Sequence, residues 1–73
     1  MKISTWNVNS VNARIEHLEK FIKKDQSDIY LLQELKTIED GFPKEIIKNS
    51  GYHSYVNGQK AWNGVSILSK KSL

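Results

Sequence analysis

Lys2-Ile3-Ser4-Thr5-Trp6-Asn7-Val8, then Ile15, Leu18, Phe21 and Ile22, then Asp28-Ile29-Tyr30-Leu31-Leu32-Gln33: read in this order, three stretches decide the fold. The first alternates and is rich in β-branched and aromatic side chains, which predicts a strand over residues 2–8. It should end near Asn9-Ser10, two side chains suited to a turn or to capping a helix. From Val11 to Asp25 the apolar positions recur at helical spacing. Glu16 and Glu19 each stand four residues before a lysine, Lys20 and Lys23, in the favourable order, so an amphipathic helix is expected there. The third stretch is apolar, almost uncharged and too short for a helix, as befits a strand covered on both faces. Strand, helix and strand in about thirty residues make a right-handed βαβ unit with parallel strands.

Beyond this unit, Asp40-Gly41 marks a turn, and Pro43 sits where a helix accepts its first residue. A short helix through Ile46 and Ile47 should stop at Gly51. Tyr52–Val56 and Val65–Ser69 read as strands joined by a polar, aromatic connection from Asn57 to Gly64. The order is β-α-β-α-β-β, an α/β chain with a mixed sheet of about four strands and two short helices. A sheet has two faces, and nothing else in the sequence is able to cover the second.

Composition narrows the class. With 38% hydrophobic and 26% charged residues the chain is neither disordered nor collagen-like. A domain of 73 residues usually leans on disulfides, a metal or a partner, yet there is no cysteine, which removes disulfides and thiolate zinc sites together. The net charge of +3 comes from eleven basic and eight acidic residues interspersed, which permits nucleic-acid binding without demanding it. The start lacks a signal-like apolar stretch and no eighteen apolar residues run together, so the expectation is a soluble cytoplasmic protein with no membrane partner. Repeats, low-complexity tracts and linkers are absent from the sequence.

Parallel strands bring their C-terminal ends to one edge of the sheet, so Asn7 and Glu34 should approach each other where open α/β sheets place ligands. A carboxylate and an amide oxygen, with no thiolate or paired histidines, suit Mg2+ or Mn2+ rather than zinc. Spacing alone leaves the plainer reading open: Glu34 as a solvated carboxylate after a strand, Asn7 as a turn residue. His17, mid-helix, and His53, at a strand start, lie outside any carboxylate-rich context and are read as non-catalytic.

Three motifs say more than spacing does. Trp6-Asn7-Val8-Asn9-Ser10-Val11, Leu32-Gln33-Glu34-Leu35-Lys36, and Gly58-Gln59-Lys60 followed by Trp62-Asn63-Gly64-Val65-Ser66-Ile67-Leu68-Ser69-Lys70 occur in that order with short gaps. Together they resemble the N-terminal part of the exonuclease III family of apurinic/apyrimidinic endonucleases, in the endonuclease/exonuclease/phosphatase superfamily. The likeness covers essentially the whole chain. The first two motifs are shared loosely across the superfamily, whereas the third is particular to the exonuclease III branch.

The resemblance implies a four-layer α/β sandwich, of which residues 1–73 would be an N-terminal fragment. It implies Mg2+, or Mn2+, and phosphodiester hydrolysis at abasic sites and 3′ ends of duplex DNA. Glu34 would be the metal carboxylate, and Asn7 the amide that orients metal and phosphate, the two catalytic positions of this chain. Gln33 would support them and Lys36 would stand near the metal. Asn9 falls where some relatives have an aspartate, so its contribution would be weaker and uncharged. Lys36, Lys60, Trp62, Asn9 and Asn12 would face DNA, Asn12 in place of an Arg or Lys, so that one backbone contact would be lost there. Leu35 replaces a threonine without chemical consequence.

The resemblance also exposes a gap. The family's water-activating base and its partners, an aspartate with an asparagine two residues on and a late Asp-His pair, come from strands that this sequence does not contain. Two readings follow: the N-terminal portion of a full nuclease, or a truncated, catalytically inert remnant that binds metal or nucleic acid weakly. A phosphoesterase acting on inositol phosphates, lipids or RNA tails is the third, and the Gly58-Gln59-Lys60 and Asn63-Gly64-Val65 run argues against it. No protein partner is indicated.

Overall fold

The computed structural model describes residues 1–58 and 63–73. Strand β1 (Ile3–Asn7) is followed by helix α1 (Ile15–Asp25), strand β2 (Ile29–Gln33), a 3₁₀ turn (Glu39–Gly41), helix α2 (Lys44–Asn49) and strands β3 (His53–Asn57) and β4 (Val65–Ser69). The sheet order is β1-β2-β4-β3. β1 and β2 run parallel, as the βαβ reading requires, and β4 lies antiparallel to both β2 and β3.

The elements follow the sequence pattern, with β3 one residue later than the expected Tyr52–Val56 and a larger displacement at the start of α1. α1 begins at Ile15 rather than Val11, because the intervening peptides are bonded sideways: Ser10 N–H donates to Glu34 O at 2.9 Å and Val11 N–H to Leu35 O at 3.0 Å. Asn9 and Ser10 therefore make a turn instead of a cap, and the residue at the helix start, Arg14, offers no side-chain cap bond. α1 ends on Gln26, left-handed at φ 55, whose N–H closes on Ile22 O. α2 starts just after Pro43 and is broken at Gly51, where φ is +94.

Both helices cover the same face of the sheet. Leu18 and Ile22 of α1 and Ile47 of α2 join Tyr30, Leu32 and Leu68 in one buried cluster, with Val8, Val11, Leu35, Phe42 and Tyr52 closing its ends. Trp6, Phe21, Tyr30 and Tyr52 run edge to face through it, with centroids 5.3 to 5.9 Å apart. The opposite face is open, as the sequence suggested. Ile3, Leu31, Tyr55, Val65 and Ile67 project from it and are 37–57% exposed. No Asp, Glu, Lys or Arg stands anywhere in the four strands. No helix among the described residues is long and apolar enough to cross a membrane.

A polar knot ties α1 to the N-terminal end of the sheet. Asp25 pairs with Lys2 Nζ at 2.7 Å and accepts bonds from Ser27 Oγ, from Ser4 Oγ at 3.0 Å and from Tyr30 OH at 3.1 Å. The Lys2 ammonium first, then the Ser27, Ser4 and Tyr30 hydroxyls, hold its carboxyl well below the usual range. Tyr52 donates to the carbonyl of fully buried Ser27, and burial pushes the Tyr52 hydroxyl upward.

The sign of the Asp25 effect gives a prediction. A depressed folded value stabilises the fold fully above the unfolded value of about 3.9, and that contribution fades as pH falls below it. The melting-temperature gap between wild type and Asp25→Asn is therefore expected to be wide at pH 7 and to narrow by pH 2.5. An unchanged gap would show that the knot does not carry acid sensitivity.

Candidate metal and phosphate site

The parallel register pairs Asn7 with Gln33, which sets the ends of β1 and β2 side by side. The ladder then continues past the strands: Val8 N–H donates to Gln33 O at 3.0 Å, before the Ser10 and Val11 bonds already described. Along it the backbone turns left-handed at four non-glycine residues, Asn9 (φ 47), Ser10 (φ 81), Glu34 (φ 54) and Lys36 (φ 55). Such values are uncommon for L-residues and persist only where the surroundings enforce them.

The turn at Glu34 breaks the alternation of β2. Tyr30 and Leu32 point into the core, and simple alternation would send Glu34 after them. Instead Leu35 is fully buried and Glu34 is half-exposed, which brings its carboxylate to Asn7. Asn7 Nδ2 donates to Glu34 Oε2, while Asn7 Oδ1 accepts the Asn9 N–H at 3.1 Å. These two bonds fix the orientation of the amide, since the opposite flip would set oxygen against carboxylate. Lys36 Nζ donates to Asn9 Oδ1. Glu34, Asn7, Asn9 and Lys36 thus form one connected row at the sheet edge, with a single carboxylate, a single ammonium and two neutral amides.

The remaining candidates are placed as follows. Gln33 donates to Thr5 Oγ1 at 2.8 Å and to Leu31 O at 3.0 Å, so it braces β1 against β2 beside Asn7. Asn12 donates to Gly41 O at 3.0 Å, which clips the β1–α1 turn to the 3₁₀ turn. Lys60 and Trp62 lie outside the described residues. His17 is exposed on α1, and His53 sits at the end of β3 opposite Asn57, the strand residue on the Asn7 row. The left-handed turns at Glu34 and Lys36 escape sequence reading because Glu and Lys do not favour that region. Asn9-Ser10, read as a turn, and Asn63-Gly64 did carry a signal.

One carboxylate is a sparse donor set, and among the described residues no group of three or more His, Cys, Asp or Glu comes together. Mg2+ does not require such a group: it keeps several waters and takes one or two carboxylates, the rest of its shell coming from substrate phosphate. Glu34 fits the protein carboxylate of such a site, whereas the expected amide oxygen of Asn7 is turned away from it to the Asn9 N–H and that of Asn9 accepts from Lys36.

Comparison with known proteins agrees with the fold. The endonuclease/exonuclease/phosphatase family pattern matches residues 4–73. The exodeoxyribonuclease III of Haemophilus influenzae is 44% identical over 71 residues, which is 97% of this chain and 27% of that protein. An AP endonuclease from Archaeoglobus fulgidus superposes with a TM-score of 0.96 at 36% identity, over 99% of this chain and 28% of its own. A 3′ phosphatase from Neisseria, solved with a product DNA hairpin, gives 0.95 at 43% identity, again over 99% of this chain and 28% of its own. The chain spans little more than a quarter of the length of each of these proteins.

Proposed function

Because the chain belongs to the endonuclease/exonuclease/phosphatase family, in its exonuclease III and AP endonuclease group, we propose that residues 1–73 are the metal-side half of a DNA-repair phosphodiesterase and turn over no DNA by themselves. The observation that carries this reading is the Asn7–Glu34 contact at the C-terminal edge of the parallel pair, beside an open apolar face. A second sheet laid on that face would deliver its own strand ends to the same edge. The half present here holds a carboxylate and an oriented amide; the base that prepares water belongs to the half supplied from elsewhere.

The activity proposed for the whole domain is hydrolysis at abasic sites and 3′ ends of duplex DNA with Mg2+ or Mn2+. A divalent ion bound there would supply charge neutralisation on the scissile phosphate. Glu34 would hold the ion. Asn7 would orient the carboxylate and, through its amide, a phosphate oxygen. Lys36 keeps Asn9 in place and adds positive charge beside the phosphate path, with Asn9 itself, Asn12, Lys60 and Trp62 as further DNA contacts. In the 73-residue chain these groups amount to weak metal and nucleic-acid binding only.

Binding of Mn2+ alone tests the half-site. One carboxylate predicts weak binding, read from the electron paramagnetic resonance of free Mn2+. Glu34→Ala is expected to weaken it at least about tenfold. Equal binding by the two proteins would sink the assignment of Glu34.

A further inference from the structure

We infer that Gly58 is a positioning residue for Glu34. The inference rests on the metal-side reading above and concerns what holds the carboxylate in place. Neither Glu34 nor Lys36 favours the left-handed conformation that it adopts. Something outside the segment must hold it, and the two ends of the β3–β4 connection do so from two sides.

At one end, Leu35 N–H donates to Gly64 O at 3.2 Å and Lys36 N–H donates to Asn63 O at 3.0 Å. Gly64 itself has φ +100, a conformation that only glycine adopts freely. At the other end Gly58 presses directly on the next three residues. A Cβ at position 58 would lie 2.5 Å from Thr37 O, 2.9 Å from Glu39 N and 2.9 Å from Ile38 C. All three are backbone atoms, which cannot swing aside as a flexible side-chain tip can. The segment 35–39 is therefore bonded at its start and wedged at its end, and the turn that aims Glu34 at Asn7 lies just before it. A methyl group at position 58 would push 37–39 away and relax that turn. Glu34 would then drift toward the core direction that alternation prefers, and Leu35 would leave its buried place.

Gly51 supplies the control. It too has positive φ, but a Cβ there would meet nothing within 4 Å. Gly51→Ala strains the backbone far from the site, whereas Gly58→Ala acts on the segment that follows Glu34.

The test is Mn2+ titration at 10 °C, followed by electron paramagnetic resonance, on wild type, Gly58→Ala, Gly51→Ala and Glu34→Ala, with circular dichroism confirming the fold. Gly58→Ala is expected to bind Mn2+ about tenfold more weakly than wild type, the size usual for losing the support of a metal ligand. Gly51→Ala is expected to melt at a lower temperature yet bind as wild type does. If Gly58→Ala does not fold, Gly64→Ala replaces it, since strain at its φ of +100 displaces the carbonyl that closes the same segment, with the same loss expected. Wild-type affinity in the folded variant, or a loss equal to that of Gly51→Ala, overturns the inference. If Glu34→Ala also binds as wild type does, the metal reading has failed and takes this inference with it. If Glu34→Ala loses the ion while Gly58→Ala keeps it, only the inference falls.

Discussion

A duplex carrying one abasic site is expected to remain uncut after incubation with magnesium and the purified 73-residue chain. The half-site explains why. A positioned general base contributes about 10²–10⁴ to such a reaction, and the described residues offer none within reach of the Asn7–Glu34 contact. His53 lies at the far end of its strand, four residues from the Asn7 row, or about 13 Å along the sheet. His17 is exposed on α1, which packs on the covered face, so the sheet stands between it and the open face on which Asn7 lies. Lys36 already donates to Asn9 and is a cation, suited to hold an anion rather than to take a proton. With the base missing and one carboxylate to hold the ion, turnover should fall below background strand breakage. Gel analysis of a labelled duplex, with a full-length relative as positive control, measures it. Magnesium-dependent nicking that Glu34→Ala abolishes would overturn the half-site reading.

The sequence showed the strands more clearly than what lies between them. β2 and β4 were legible to within a residue because their apolar runs are bounded by Asp28, Gly64 and Lys70, and because burial imposes its pattern over the whole length of a strand. The start of α1 was not. Val11 fits the helical spacing, yet its N–H is drawn to Leu35 O by a contact with a residue 24 positions away (35 − 11), which no local pattern reports. The site divides along the same line. That Asn7 and Glu34 meet follows from two parallel strands of known direction. How they meet does not, because the left-handed turn at Glu34 is imposed by Asn63, Gly64 and Gly58, residues 24 or more positions later in the chain (58 − 34). The position of β4 between β2 and β3 is likewise a long-range pairing, visible only in the assembled sheet.

Adjacent residues of β4 give the largest contrast in expected behaviour. Ile67 faces out in a row with Leu31 and Tyr55, all three 37% exposed, whereas Leu68, one position on, is fully buried among Tyr30, Ser54 and the helices. An open face of apolar and uncharged side chains has nothing to keep two copies apart, so the isolated chain should associate as its concentration rises and melt over a broad range. Ile67→Lys places a charge in the middle of that face and leaves the core untouched. It is expected to raise the soluble concentration several-fold and to sharpen the melt. Leu68→Ala does the reverse. Emptying a fully buried leucine site costs about 2–5 kcal/mol, against a total of about 4–11 kcal/mol for a complete domain of this length, and a sheet covered on one side only falls at or below the bottom of that range. The ratio of folded to unfolded chains should drop by a factor of about 30 or more, so that the variant shows little or no cooperative transition. Light scattering after size exclusion, with thermal melts by circular dichroism, separates the two effects. A wild-type chain that is sharply cooperative and monomeric at high concentration, and that Ile67→Lys leaves unchanged, would show that the open face is no liability.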